Sequence, residues 1–198
     1  MQKPNGYDDV RESGSFTPVE LGGHYAVIKQ VTEMQSSTGK PMIVVLFDFD
    51  KTDKQPEYHS KAFQASDKPD RKWPFNGSKY VMINDFTDSS KTSRAFKTFC
   101  TSFEKSNNCS VQWGGNDWGK QFKNKKIGIV YGEEENEYDG QTFMRRVPKW
   151  FCSWDSVAGA KVPEPKYLTN RRPAADPAPQ SADAFINVPD DAGDDIPF

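Results

Sequence analysis

His24-Tyr25-Ala26-Val27-Ile28-Lys29-Gln30-Val31-Thr32, carried through Ser36-Ser37-Thr38-Gly39-Lys40-Pro41 into Met42-Ile43-Val44-Val45-Leu46-Phe47-Asp48-Phe49, decides the fold class. Two runs rich in β-branched and aromatic residues flank a cluster of turn formers, the pattern of a long β-hairpin. Successive strand side chains alternate, so Ile43, Val45, Phe47 and Phe49 share one face while Val44 and Leu46 take the other. Apolar residues on both faces point to a sheet that curls on itself, hence to a barrel.

Outward from this hairpin, a polar, Pro-containing stretch with a loop at Trp73-Pro74-Phe75-Asn76-Gly77 leads to Tyr80-Val81-Met82-Ile83, a third strand. The one helix expected runs from about Lys91 to Lys105, where Phe96, Phe99, Cys100 and Phe103 repeat at the spacing of a buried helical face. Ser89 or Ser90 would cap it, and Asn107-Asn108 would end it in the left-handed conformation. Lys126-Ile127-Gly128-Ile129-Val130-Tyr131 and Thr142-Phe143-Met144-Arg145-Arg146-Val147 then predict a second hairpin, joined through an acidic segment containing Tyr138-Asp139-Gly140. Three strands, a helix and two strands are the element order of the five-stranded oligonucleotide-binding barrel (OB-fold), with its helix between strands 3 and 4. The fold class expected is therefore mainly β. Ferredoxin-like and SH3-like arrangements fit the same order, and no internal repeat is present.

The 198 residues accommodate one domain and a tail. A composition of 35% hydrophobic and 13% aromatic residues excludes a wholly disordered chain. The longest apolar run, Met42 to Phe47, falls far below the roughly 18 residues of a membrane-spanning helix, so no membrane partner is expected. Met1-Gln2-Lys3-Pro4-Asn5-Gly6 lacks the apolar stretch of a secretory signal, and Cys100, Cys109 and Cys152 are odd in number and widely spaced. A cytoplasmic setting with free thiols is the expectation.

The charge divides near Ala158. The last forty residues carry four basic against seven acidic side chains, a balance of -3 that leaves +1 for the first 158. That tail also holds seven of the 14 prolines but only three of the 26 aromatic residues, too little apolar surface to offset chain entropy. The division expected is a folded domain over 1–158, a disordered Pro- and Ala-rich linker over 159–189 and an acidic tip over 190–198.

The tip, Asp190-Asp191-Ala192-Gly193-Asp194-Asp195-Ile196-Pro197-Phe198, sets four carboxylates before an aliphatic and an aromatic side chain and the terminal carboxylate. Such a peptide suits a basic-rimmed apolar pocket that Phe198 fills while an arginine takes its carboxylate. This terminus resembles the acidic tip of bacterial single-stranded-DNA-binding proteins, which ends in Asp-Asp-Ile-Pro-Phe. The match covers the last nine residues, and residues 1 to 158 are longer than that family's compact barrel, so the chain looks like a divergent phage or mobile-element member. The resemblance implies an oligonucleotide-binding barrel, a linker, and recruitment of replication, recombination and repair proteins through Asp190, Asp191, Asp194, Asp195, Ile196, Pro197 and Phe198. The family's tetramer is not carried over, and a homo-oligomer stays open.

A strand-coating domain needs a basic groove with exposed aromatic faces. Arg71, Lys72, Trp73 and Phe75 interleave bases with aromatics in one loop, and Arg145, Arg146, Lys149 and Trp150 do so at a strand end. Trp113 and Trp118 stand in a Gly-rich stretch read as loop rather than core, followed by Lys123; Trp154 is read as core. The acidic tail can also compete with DNA for the groove.

Enzymatic alternatives are thin. Asp48, Asp50 and Asp53, or Asp85 and Asp88, offer carboxylates for a Mg²⁺-dependent nuclease, but acidic turns after strands are commoner. His24, His59 and the cysteines lack zinc spacing, and no phosphate-cradling or nucleophile-elbow motif is present, so no catalysis, metal or cofactor is expected. The function expected is sequence-independent binding and protection of single-stranded DNA. The alternative is an adaptor without DNA binding that docks on host replication or repair enzymes through the tip.

Overall fold

The computed structural model describes residue 3 and residues 17–66, 68–115 and 117–168. Two long antiparallel hairpins dominate it. β1 (Gly22–Gln35) and β2 (Pro41–Phe49) form the first, and β4 (Lys126–Tyr138) and β5 (Gln141–Cys152) the second. With β3 (Ser78–Met82) they make one five-stranded sheet in the order β3-β2-β1-β4-β5, in which every pairing is antiparallel. β1 pairs with β2 along most of its length and with β4 only over Gly22 to Val27. The register slips between Ile28 and Gln30, a bulge at Lys29 that bends the strand and lets the sheet coil. The sheet stays open, with β3 and β5 as its edges.

The alternation read in β2 holds. Ile43, Val45, Phe47 and Phe49 are all buried, against Ile28, Ile127, Ile129, Tyr131 and Phe151 from the neighbouring strands. The core is closed by α2 (Arg94–Asn107), whose Phe96, Phe99, Cys100 and Phe103 point inward. Its cap is Ser93, whose Oγ accepts from Phe96 N at 3.1 Å, and Asn108 ends it at φ 50°. Ser89 and Ser90 do not cap it, because Asp88 ties that stretch into a turn through Ser90 N at 3.0 Å and Thr92 bridges back to Asn84.

The single-helix expectation is corrected by α1 (Tyr58–Ala65) between β2 and β3. Its own sequence gives no side-chain cap. Asp48 of β2 supplies one across the chain: its Oδ1 accepts from His59 N at 2.9 Å, its Oδ2 accepts from Ser60 N at 3.3 Å, and the Ser60 hydroxyl adds a further bond. A helix start satisfied from a distant strand leaves no local signature.

β4 outruns its expected end at Tyr131, because Glu133 and Glu134 lie opposite Arg146 and Arg145 and opposite charges favour cross-strand pairing. Asp139 and Gly140, both at positive φ (50° and 74°), make the two-residue turn that matches strand twist.

The chain also continues to pack beyond Ala158. Residues 157–168 run as a strap over the outside of β1 and β4, and Lys166 exchanges backbone hydrogen bonds with Glu133 and Glu135 at 3.0 and 2.7 Å. Glycines make room for it: a Cβ on Gly23 would stand 2.4 Å from Val157 O, and one on Gly132 2.4 Å from Pro163 Cγ. The rest of the linker and the whole tip lie outside the described residues. Cys100, Cys109 and Cys152 are free thiols. Among the described residues no helix is long and apolar enough to cross a membrane.

Candidate nucleic-acid interface

Where the sheet stays open, the edges of β3 and β5 enclose a cleft of about 200 Å³. Phe75, Ser78, Lys79 and Tyr80 line one wall, and Glu134, Asn136, Arg145, Val147 and Pro148 the other. Pro148 sits beside a register slip on the edge strand, where a missing N–H costs no ladder bond.

Lys79 pairs with Val45 and so projects from the core-facing side of β3, crossing the gap to donate to Pro148 O at 2.9 Å. Burial depresses its ammonium to about 8, with Glu134 partly opposing and Lys149 adding to the shift. Lys149 Nζ donates to Glu134 Oε1 at 2.8 Å. Burial works against the charge of Glu134, but Lys149, with Lys166 and Lys79, outweighs it and holds that carboxyl below its ordinary value. Three cations thus surround one acid, and Arg145 adds a fourth directly across the ladder from it.

Two partly exposed aromatic rings flank the cleft on opposite faces of the β3 edge, Phe75 at 38% and Tyr80 at 41% exposure. The guanidinium of Arg145 lies 4.0 Å from the Phe75 ring centroid. Tyr80 pairs with Val44, and Val44 with Thr32, so Tyr80 begins the outward face of β3, β2 and β1. At the far end of that face Lys40 covers Phe86, which is 81% exposed, with Nζ 4.2 Å from the ring centroid.

Of the residues singled out from sequence, Phe75, Arg145 and Lys149 come together here. Arg146 is turned aside, with Nη1 donating to Val19 O at 2.7 Å and Nε 3.5 Å from Glu133. Trp73 is half-buried, its Nε1 donating to Gly77 O at 2.9 Å. Arg71 and Lys72 are exposed in the loop before it, and Trp150 is exposed on β5 opposite Val130.

Trp118 corrects the reading of its Gly-rich stretch as loop: it is 9% exposed, in the core, with Phe122 at 4.6 Å and Phe96 at 6.0 Å. A short 3₁₀ turn, Trp118–Phe122, carries it inward, and Lys123 follows at the surface. Trp113 is 67% exposed and stacks on Trp118 at 5.9 Å. Trp154 is half-buried outside the core, against Tyr25 at 4.7 Å with Lys126 over its ring. The sequence reading missed Lys79, Tyr80, Lys40 and Phe86. An aromatic next to a lysine in Lys79-Tyr80 was a usable signal, masked by the apolar run that follows it.

The carboxylates considered for a cation site have other work. Asp48 caps α1, and Asp53 holds His24 Nδ1 at 3.0 Å and Tyr25 N at 2.8 Å. Asp50 and Asp85 each accept from a threonine two residues on, and Asp88 accepts from Ser90. Among the described residues no three His, Cys, Asp or Glu side chains stand close enough to share a metal ion. No protein-family model and no curated protein matches the sequence.

Proposed function

We propose that this chain binds single-stranded DNA without strong sequence preference and brings replication, recombination and repair proteins to it through the acidic tip, as a divergent phage or mobile-element relative of the bacterial single-stranded-DNA-binding proteins. The observation that carries the reading is the cleft at the sheet opening, lined by Phe75, Tyr80, Lys79 and Arg145, with the Arg145 guanidinium over the Phe75 ring. Aromatic faces take bases of any identity, at about 1 to 3 kcal/mol each, and the cations take phosphates.

The strand order supports the finer fold reading, a partly open oligonucleotide-binding barrel. In that fold the face of strands 2 and 3, with the loops joining strands 1 to 2 and 4 to 5, is the binding surface. Tyr80, Val44 and the Lys40–Phe86 pair occupy that face and its first loop.

The test is fluorescence anisotropy of labelled oligo-dT at two salt concentrations, with duplex DNA as control. Saturable binding by the single strand is expected, weakening with salt at a slope of about -0.7 per neutralised phosphate. Phe75→Ala and Tyr80→Ala should each weaken it by about five- to a hundredfold. Wild-type affinity in both variants rejects the cleft, and no binding at low salt rejects the DNA reading in favour of the adaptor.

A further inference from the structure

The turn that carries Phe75 is held from beneath by groups that never reach the cleft. His59 and Tyr131 are both fully buried, with the His59 Nε2 3.1 Å from the Tyr131 hydroxyl oxygen. That hydroxyl donates to the backbone carbonyl of Asn76, the residue after Phe75. Its own proton being committed there, the oxygen accepts from His59, which puts the imidazole N–H on Nε2. Among the described residues Nδ1 has no hydrogen-bond partner, so the ring's contact with the turn is the one through Nε2.

Proton placement agrees with this geometry. Burial holds His59 down to about 4, with Asp48 opposing and His24 adding, so at neutral pH the ring has one N–H to give. Burial also pushes the Tyr131 phenol well above its ordinary value, so it keeps the proton it donates. The packing leaves little slack: a Cβ on Gly77 would stand 2.8 Å from His59 Cγ and 2.6 Å from Trp73 Nε1. Trp73 Nε1 donates to the carbonyl of Gly77, so the turn is pinned at two consecutive carbonyls, once from the core and once from its outer side.

We infer that Tyr131 is a positioning residue for DNA: through Asn76 it fixes the Phe75 turn so that the ring meets Arg145 and an incoming base without having to be ordered first. This rests on the cleft being the DNA site. Ordering a side chain or loop on binding costs affinity, and a ring held in place beforehand avoids that loss.

The experiment is a double-mutant cycle on oligo-dT affinity, with wild type, Tyr131→Phe, Phe75→Ala and the double variant. Thermal unfolding is measured on all four. Tyr131→Phe keeps the ring and deletes one hydroxyl. The expected result is an affinity loss of about three- to tenfold when Phe75 is present and less than about twofold in the Phe75→Ala background, with melting temperature lowered equally in both. A purely structural hydroxyl gives the equal melting shift but no Phe75-dependent affinity change, and that result overturns the inference. If Phe75→Ala itself binds DNA like wild type, the inference falls, and the cleft reading falls with it only if Tyr80→Ala also binds like wild type. If Phe75→Ala weakens binding while Tyr131→Phe does not, only the inference falls. Should Tyr131→Phe fail to fold, Trp73→Phe, which removes the other donor to the same turn, carries the cycle with the same expected dependence on Phe75. Loss of that dependence overturns it.

Discussion

The cleft between β3 and β5 and the corner between α2 and the 3₁₀ turn at Trp118–Phe122 hold the same kinds of residue and use them in opposite ways. Both mix aromatic rings with lysines in sequence, and both read as places for bases to stack. In the cleft the rings of Phe75 and Tyr80 are partly exposed, Arg145 lies against Phe75, and Lys79 reaches across the gap from the core-facing side of β3. At the corner Trp118 goes into the core against Phe96 and Phe122, and Trp113 leans on it from outside. Interleaved aromatics and bases are therefore evidence of a surface only when the rings are spared from packing, and the backbone on either side decides that. The cleft lies along two free strand edges, whereas the corner covers one end of the core.

Breaking the comparison should show first in stability. Trp118→Ala empties a site in the core and is expected to destabilise the fold by about 3 to 5 kcal/mol. Urea unfolding measures it, and the folded fraction should bind oligo-dT as wild type does. A Trp118→Ala protein of normal stability that had lost DNA binding would place the interface at the corner.

Lys79→Met sharpens the other half, because its two effects are expected to have opposite signs. With a folded-state pKa of about 8 against 10.5 for the free side chain, the unfolded chain binds more protons between those values, so raising the pH through that window increases stability. Removing the charge should accordingly stabilise the fold at pH 7, by about 1 to 3 kcal/mol. The same change should weaken DNA binding by about threefold or more and remove the fall in wild-type affinity expected as pH rises from 7 to 9. Denaturant melts and anisotropy at these pH values read both. A destabilised Lys79→Met protein would make the residue structural.

The smallest effect expected is that of Trp113→Ala. An exposed ring resting on a buried one contributes at most about 1 kcal/mol to stability, and DNA affinity should change less than twofold. A loss as large as that of Phe75→Ala would extend the interface to both regions.

Much of the frame was legible in the chain itself. The first hairpin, the inward face of β2 and the buried stripe of α2 all follow from local periodicity, which neighbouring residues carry by themselves. α1 was hidden because its cap, Asp48, lies ten residues before its first residue, Tyr58, and on a strand. The continuation of β4 was hidden because an acidic run looks like solvated chain until Arg145 and Arg146 arrive opposite it. The strap over Gly23 and Gly132 looked like linker because its partners are glycines, which have no side chain to advertise a packing face. Within the candidate site, Phe75, Arg145 and Lys149 were legible by type, whereas the Lys79-Tyr80 signal was masked by the apolar run after it, and only the gap between two sheet edges makes a lysine there unusual.

By itself the sequence determined the mainly β class, the helix that closes the core, the composition break near Ala158 and the chemistry of the acidic tip, because each is written in adjacent or regularly spaced residues. Tertiary structure alone decided which rings face solvent, which carboxylate caps which helix, and that Tyr131, from a strand fifty residues and more away, holds the turn beside Phe75. Those outcomes depend on distances across the fold, and side chains far apart in the chain acquire a common environment only when the sheet has brought them together.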